Sequence, residues 1–233
     1  MNSAGKRSQL ETLKTAKGFA LNALGRYEDA LKAFESSRKV SGNGKTACFG
    51  KGLVFAQLGE WEKTLKAFDV ILISDPGNTR ASIMKAFALI RLGEFEKAIQ
   101  VLEGIETNDN PDLPACLLGF SYSRLENSEK ALRAYRKAIE LNPKNIYARN
   151  GLAELYFKLG NSMGALKELE TSITESPEDA FSRCLKGRIE LEEQSCENAL
   201  ESFRRALAID AEDQKLLLWD AYARYMYAEA SLD

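Results

Sequence analysis

The 233-residue chain contains no histidine. That removes the commonest general base and the commonest side-chain metal ligand. Its four cysteines, Cys48, Cys116, Cys184 and Cys196, follow no zinc-binding spacing. No metal and no other cofactor is expected. Charge of one sign is lacking too: 32 Lys and Arg face 34 Asp and Glu, for a net charge of −2. That balance gives no bulk attraction to nucleic acid or to an acidic membrane. No stretch approaches the ~20 apolar residues of a membrane span. The residues after Met1 begin no apolar run of signal-peptide length. The expectation is a soluble, cytoplasmic chain that binds neither nucleic acid nor membrane.

Chemistry-bearing motifs are equally sparse. Gly44-Lys45-Thr46 has the end of a phosphate-binding loop, but the place that needs the first glycine is Lys39. The segment also follows a helix where a strand is required, so it reads as a turn. Carboxylates are plentiful, yet they sit in helix-compatible pairs such as Glu28/Lys32 and Glu62/Lys66. Nothing marks two acids held in different environments, as acid–base catalysis needs. The chain is expected not to be an enzyme.

What is present is a period. Leu58 to Phe68 (LGEWEKTLKAF) has a counterpart 34 residues earlier, in Ala23 to Phe34, and another 34 residues later, in Arg91 to Leu102. A period of this size marks a stack of small units. With Gly25, Gly59 and Gly93 as turns, Gly18, Gly52 and Ala86 fall seven places before them. Ala30, Thr64 and Ala98 fall five places after, and Phe34, Phe68 and Leu102 four places later again. Pro76 ends a second helix. A fourth unit carries Gly119, Tyr122, Ala131, Tyr135, Ala138 and Pro143, and a fifth Leu152, Ala153, Tyr156, Gly160, Ala165, Leu169 and Pro177. A sixth has Gly187, Ala199, Phe203 and Ala206. In both segments of each unit these places share one face of an α-helix. Small residues let two axes approach, and large ones (Tyr27, Trp61, Phe95, Phe34, Phe68, Tyr135, Phe203) fill the space beside them. Each buried large side chain stabilises by roughly 1.5–3 kcal/mol. One unit cannot bury its face alone, whereas stacked units can.

The pattern resembles the tetratricopeptide repeat family, through Leu118-Gly119-x-x-Tyr122 with Ala131-x3-Tyr135 and Pro143, and Leu152-Ala153-x-x-Tyr156 with Ala165-x3-Leu169 and Pro177. The resemblance implies an all-α, right-handed superhelix of six helix-turn-helix repeats plus a C-terminal capping helix. The boundaries expected are a leader over 1–10, repeats over 11–44, 45–78, 79–111, 112–145, 146–179 and 180–213, and a last helix over 214–233. Ser8 and Glu11 read as a capping box opening the first helix. The frame puts Cys48, Cys116 and Cys184 in helices of different repeats, which predicts reduced thiols. The sixth repeat has Glu190, Gln194 and Cys196 at places that the family usually gives to Tyr, Gly and Tyr, so an irregular turn is expected there.

The resemblance also implies a concave groove lined by the second, fifth, ninth, twelfth and thirteenth places of each first helix. Its apolar anchors would be Phe19, Phe49, Leu53, Ile83, Phe87 and Phe120, extended by Tyr147, Phe157 and Phe181. Arg91, Arg124 and Lys158 would form a basic edge, with Arg80 beside it. The expected function is a non-enzymatic scaffold that binds a protein or peptide partner, through an apolar segment flanked by acidic residues. The family's two-carboxylate clamp is absent: its places hold Thr15, Phe19, Gly50, Arg80 and Met84. Its sixth-place asparagine ladder is replaced by Ala16, Gly50, Met84, Leu117, Gly151 and Leu185. The last helix, with Leu216, Leu217, Leu218, Trp219, Tyr222, Tyr225 and Tyr227, is apolar on more than one face. Two alternatives therefore stand: a homodimer, through the groove or through Trp219, Tyr222 and Tyr225, or the regulatory region of a larger enzyme.

Overall fold

The computed structural model describes residues 3–41, 44–105 and 110–230. These residues form α-helices and no strand: α1 (Ser3–Ala23), α2 (Tyr27–Ser41), α3 (Lys45–Gln57), α4 (Trp61–Ser74), α5 (Thr79–Arg91), α6 (Phe95–Glu103), α7 (Asp112–Arg124), α8 (Ser128–Leu141), α9 (Ile146–Lys158), α10 (Ser162–Glu175), α11 (Ala180–Glu192), α12 (Cys196–Ile209) and α13 (Gln214–Ala230). The chain divides into two compact units, Met1–Asp109 with α1–α6 and Asn110–Asp233 with α7–α13. Within each, consecutive helices pack as hairpins, and each hairpin packs on the next. The first helices of successive hairpins also meet, α1 with α3, α7 with α9, α9 with α11 and α11 with α13.

The turn inside each hairpin has one geometry. Gly25, Gly59, Gly93 and Gly160 take the left-handed conformation, with φ between 71° and 79°. At Gly59 its own N–H donates to the Ala56 carbonyl and the Glu60 N–H to the Phe55 carbonyl, so two carbonyls left over at the end of α3 are satisfied. The same conformation is imposed on Glu126 (φ 59°) and Gln194 (φ 60°), where no glycine is present. The sixth hairpin was expected to turn irregularly, and it does not. Gln194 N–H donates to Leu191 O and Ser195 N–H to Glu190 O, the bonding seen at Gly59. The packing of the two helices sets the turn, and the side chain carries the strain of about 1–2 kcal/mol. At the other ends, the side chains of Asn78, Asn127, Asn145, Asn161 and Asp179 each accept an N–H from the third residue on, capping α5, α8, α9, α10 and α11.

The core uses one device at two places, Phe34 and Tyr135: an aromatic ring from a second helix wedged between glycines of two first helices. Phe34 is wholly buried. A Cβ on Gly18 of α1 would lie 2.5 Å from its ring, and one on Gly50 of α3 would lie 2.3 Å away. Tyr135 stands likewise between Gly119 and Gly151, at 2.6 Å and 2.4 Å. Where the ring gives way to Leu169, the facing place holds Leu185. Large side chains thus face small ones, and medium side chains face medium ones, which keeps interior density constant. Phe203 closes the second unit against Gly187 and the indole of Trp219, stacked at 6.4 Å.

Several polar groups inside tie helices together. Thr15 and Ser37 hydroxyls share a buried hydrogen bond of 2.6 Å, and Ser37 donates to the Glu11 carbonyl. Asp112 accepts from Asn142 and Asn145, at 3.0 Å and 2.7 Å, tying α7 to the loop after α8. The capping box at Ser8 is corrected: α1 already runs from Ser3, and the Ser8 carbonyl accepts the Thr12 hydroxyl from one turn on. Residues 3–10 of the expected leader belong to α1. Residues 1–2 lie outside the described residues.

Candidate functional site

Three aromatic anchors of the first unit lean inward. The Phe19 ring meets Phe34 edge-on at 5.1 Å, Phe49 meets Phe68 at 5.3 Å, and Phe87 meets Trp61 at 5.8 Å. All three are half-buried. Leu53 is half-buried and Ile83 is 9% exposed. The guanidinium of Arg91 lies 4.8 Å from the Trp61 ring centroid. Such edge-to-face and cation–π pairs fix side-chain rotamers and couple first helices to second helices. In this unit the anchors are therefore as much part of the packing as of the surface.

The second unit is more open. Phe120 is 41% exposed, Tyr147 77% and Phe181 57%. Leu113, at 40%, was missed by the sequence reading, although the signal was there: Leu113, Tyr147 and Phe181 stand at steps of 34 residues. They form a row at the opening turns of α7, α9 and α11. Phe157 is half-buried on the cluster of Ala153, Ala165, Leu169, Leu185 and Ile189. Arg124 is exposed, and Lys158 approaches Glu154 at 3.6 Å.

Helix α13 presents two faces. Leu216 and Ala223 are buried, and Trp219 and Met226 pack on the cluster of Leu191, Ala199 and Phe203. Trp219 also stacks under Arg188, 5.2 Å from ring centroid to guanidinium carbon. Leu217, Leu218, Tyr222 and Tyr225 remain exposed. The three residues proposed for self-association thus divide: Trp219 turns inward, and Tyr222 and Tyr225 turn outward.

Clefts elsewhere are lined by charged side chains, joined in the first unit by Cys48, Phe55, Ala67 and Val70. One of about 500 Å³ is floored by Glu190, which accepts the Ser202 hydroxyl at 2.6 Å, and is walled by Glu170, Arg183, Lys186 and Arg205. In the first unit Lys45, the lysine of the Gly-Lys-Thr stretch, pairs with Asp75 at 3.2 Å. Gly42 and Asn43 of that stretch lie outside the described residues. All four cysteines are free. Burial pushes the Cys116 thiol up to about 12 and raises the Tyr135 phenol, so both stay protonated. Among the described residues no group of three His, Cys, Asp or Glu could hold a metal ion, and no helix is long and apolar enough to cross a membrane.

Family models described as tetratricopeptide repeats match residues 16–79 and 155–214, and 55–117, and a TPR repeat model matches 118–160. The chain belongs to the tetratricopeptide repeat family. Among curated relatives it is 30% identical over 99 residues to Hsp70-Hsp90 organizing protein 2 of Arabidopsis thaliana, covering 42% of this chain and 17% of that protein. It is 34% identical over 94 residues to the CTR9 homolog of the same plant, covering 39% of this chain and 9% of that protein. The chain thus spans a small part of the relatives it matches. Among solved structures, a tetratricopeptide repeat protein from Parabacteroides merdae aligns with a TM-score of 0.76 at 23% identity, over 92% of this chain and 84% of that one. The pilus biogenesis factor PilW aligns at 0.80 and 15% identity, over 90% and 98%. A chain of the APC/C hetero-tetramer Cut9–Hcn1 aligns at 0.79 and 17%, over 93% and 43%. These likenesses show the tetratricopeptide solenoid fold. Repeats of this family generally mediate protein–protein interactions and are typically not enzymes.

Proposed function

We propose that the chain is an interaction module whose first-helix faces bind an apolar protein segment with acidic residues beside it. The observation that carries the reading is the row of Leu113, Tyr147 and Phe181. Three large apolar side chains stand exposed in register on one unit, and such patches usually serve a partner. Phe120 adds an aromatic on α7, and Arg124 and Lys158 supply positive charge at the far ends of α7 and α9. In the first unit Phe19, Phe49, Leu53, Ile83 and Phe87 offer a shallower apolar face, with Arg91 held over Trp61. Contact residues of this kind concentrate binding energy, at ~2 kcal/mol or more for each hot spot.

The test is capture from source-cell lysate, read by mass spectrometry, with wild type and a Tyr147→Glu/Phe181→Glu variant. Both side chains are exposed, so the variant retains the fold, which far-ultraviolet circular dichroism checks. Proteins held by wild type and lost by the variant are the expected result. An unchanged set would remove the second unit's row from the reading.

A second reading rests on α13. Its outer face of Leu217, Leu218, Tyr222 and Tyr225 suits pairing with another copy. Trp219→Glu is a poor probe, because Trp219 packs on Phe203. Leu217→Glu/Leu218→Glu changes two exposed residues and leaves the contacts of Trp219 with Phe203 and Tyr222 alone. If wild type dimerises, light scattering with rising concentration would show a mass increase that this variant abolishes.

A further inference from the structure

We infer that the first unit carries a second docking face, a cation-lined groove on the side of α3 turned away from its first-helix face, which takes a short acidic segment with an apolar middle from a partner protein. Two clefts there, of about 240 Å³ and 410 Å³, share Arg38, Cys48 and Val70 and so run into one another. Helices α2 and α4 wall them, and Cys48, Lys51 and Phe55 of α3 form the floor. Those three recur at steps of three and four residues, so they share one side of α3, away from Leu53. The opening has a cause in the sequence. Lys51 stands where the fourth and fifth repeats place Leu118 and Leu152, and Leu152 is buried. A lysine at that place carries its charge out to Glu35, at 3.1 Å, instead of filling the space beside the helix. The same exchange, at Lys186, accompanies the cleft of the sixth repeat.

The lining has one sign. Arg38, Lys39 and Lys45 stand at one end, Lys51 in the middle, and Lys63 and Lys66 at the other end, with no Asp or Glu among the described residues that line it. In the cleft of the sixth repeat Glu170, Glu190 and Glu201 offset Arg183, Lys186 and Arg205. The chain as a whole has a net charge of −2, so the six cations are a local concentration. Lys45, Lys51 and Lys63 pair with Asp75, Glu35 and Glu60 beyond the lining, whereas Arg38, Lys39 and Lys66 form no ion pair among the described residues. A cleft of one sign with low-dielectric walls focuses its field and concentrates the opposite charge. Apolar surface supplies those walls: Lys63 Nζ lies 5.5 Å from the Phe55 ring centroid, Val70 is 50% exposed, and Ile73, on the same face of α4, is 83% exposed. From Lys45 to Phe55 α3 rises about 15 Å, the span of about five extended residues. The occupant that fits has carboxylates at both ends and apolar side chains between them. A nucleic-acid strand fits less well, because one arginine stands among five lysines and Phe55 is half-buried, not open for base stacking. This face is separate from the row of Leu113, Tyr147 and Phe181, so the inference goes beyond the reading above and does not depend on it.

The experiment uses the full chain and a short fluorescent peptide, amidated at its C-terminus, with glutamates at both ends of a leucine middle. Companion peptides carry Gln for Glu or Ser for Leu, and a fluorescent single-stranded oligonucleotide is the competing polyanion. Arg38→Glu/Lys66→Glu reverses two exposed charges of the groove, and Arg204→Glu/Arg205→Glu makes the same change in net charge on the second unit. Circular dichroism confirms each fold. Wild type is expected to bind the peptide, more weakly as salt rises, and to bind both companions less well. Arg38→Glu/Lys66→Glu should weaken binding about 10-fold or more, while Arg204→Glu/Arg205→Glu and Tyr147→Glu/Phe181→Glu should leave it unchanged. Binding that survives the groove variant, or that falls equally in both charge reversals, would overturn the inference. So would equal binding of either companion, or no binding by wild type. An oligonucleotide held more tightly than the peptide would refute the choice of a protein segment, and a self-associated mass abolished by Arg38→Glu/Lys66→Glu would make the occupant another copy instead. Loss in Tyr147→Glu/Phe181→Glu alone would refute this second face and leave the first-helix reading standing.

Discussion

A methyl group added at Gly50 would stand 2.3 Å from Cζ of Phe34 and 2.4 Å from Cε1. Both atoms belong to a wholly buried ring held from the other side by Gly18. Alanine is the better helix former by about 1 kcal/mol, so Gly50→Ala would stabilise an isolated α3. In the folded chain the ring has nowhere to move, and overpacking of a close-packed site costs about 1–3 kcal/mol. The net expectation is destabilisation of up to about 2 kcal/mol. Gly77→Ala is the control. No atom lies within 4 Å of its Cβ position, and that substitution should be neutral or stabilising by up to about 1 kcal/mol. Urea unfolding followed by circular dichroism gives the stabilities. Combining Gly50→Ala with Phe34→Leu should recover part of the loss, and the double-mutant cycle should show coupling of about 0.5 kcal/mol or more. If Gly50→Ala matched Gly77→Ala, or if the cycle showed no coupling, the wedge of ring between glycines would not be what seats α2 against α3.

Glu126→Gly and Gln194→Gly should each stabilise the chain by about 1 kcal/mol, because both residues occupy the left-handed conformation; urea midpoints check this. Asp179→Ala should destabilise by about 1–2 kcal/mol, since its carboxylate accepts the Ser182 N–H at 3.1 Å, the Ser182 hydroxyl and the Asn150 amide at 3.0 Å. Hydrogen exchange at the start of α11 should locate the damage. The Asp75 carboxyl is held below the usual carboxylate range by hydrogen bonds from Asn78 and Lys45. A depressed value contributes stability above the unfolded pKa and loses it as pH falls through the folded one. Any stability gap between wild type and Asp75→Asn should therefore be present at neutral pH and close in acid. Cys116, raised to about 12 by burial, should alkylate only as fast as the second unit opens, which mass-resolved alkylation with and without urea would show.

The period of 34 residues determined the helices, their pairing and the places where a glycine must turn left. These are local matters. Helix periodicity sets the angle of each side chain about its own axis, and a turn glycine is the residue that takes the required φ at least cost. The buried faces were legible for the same reason: Phe34, Phe68, Tyr135 and Phe203 point where a neighbouring helix must be. The tertiary structure decided what the angle cannot. Phe19, Phe49 and Phe87 lie on an outward face by count, yet their rings are long enough to lean onto Phe34, Phe68 and Trp61. Glu126 and Gln194 adopt a glycine's conformation because the helices on either side fix the turn. Arg188 falls on the ninth, groove-facing place of the sixth repeat by count, and what its side chain meets is not legible there. Only the arrival of Trp219 from the last helix, 31 residues further on, holds that guanidinium in place with its Nε unpaired.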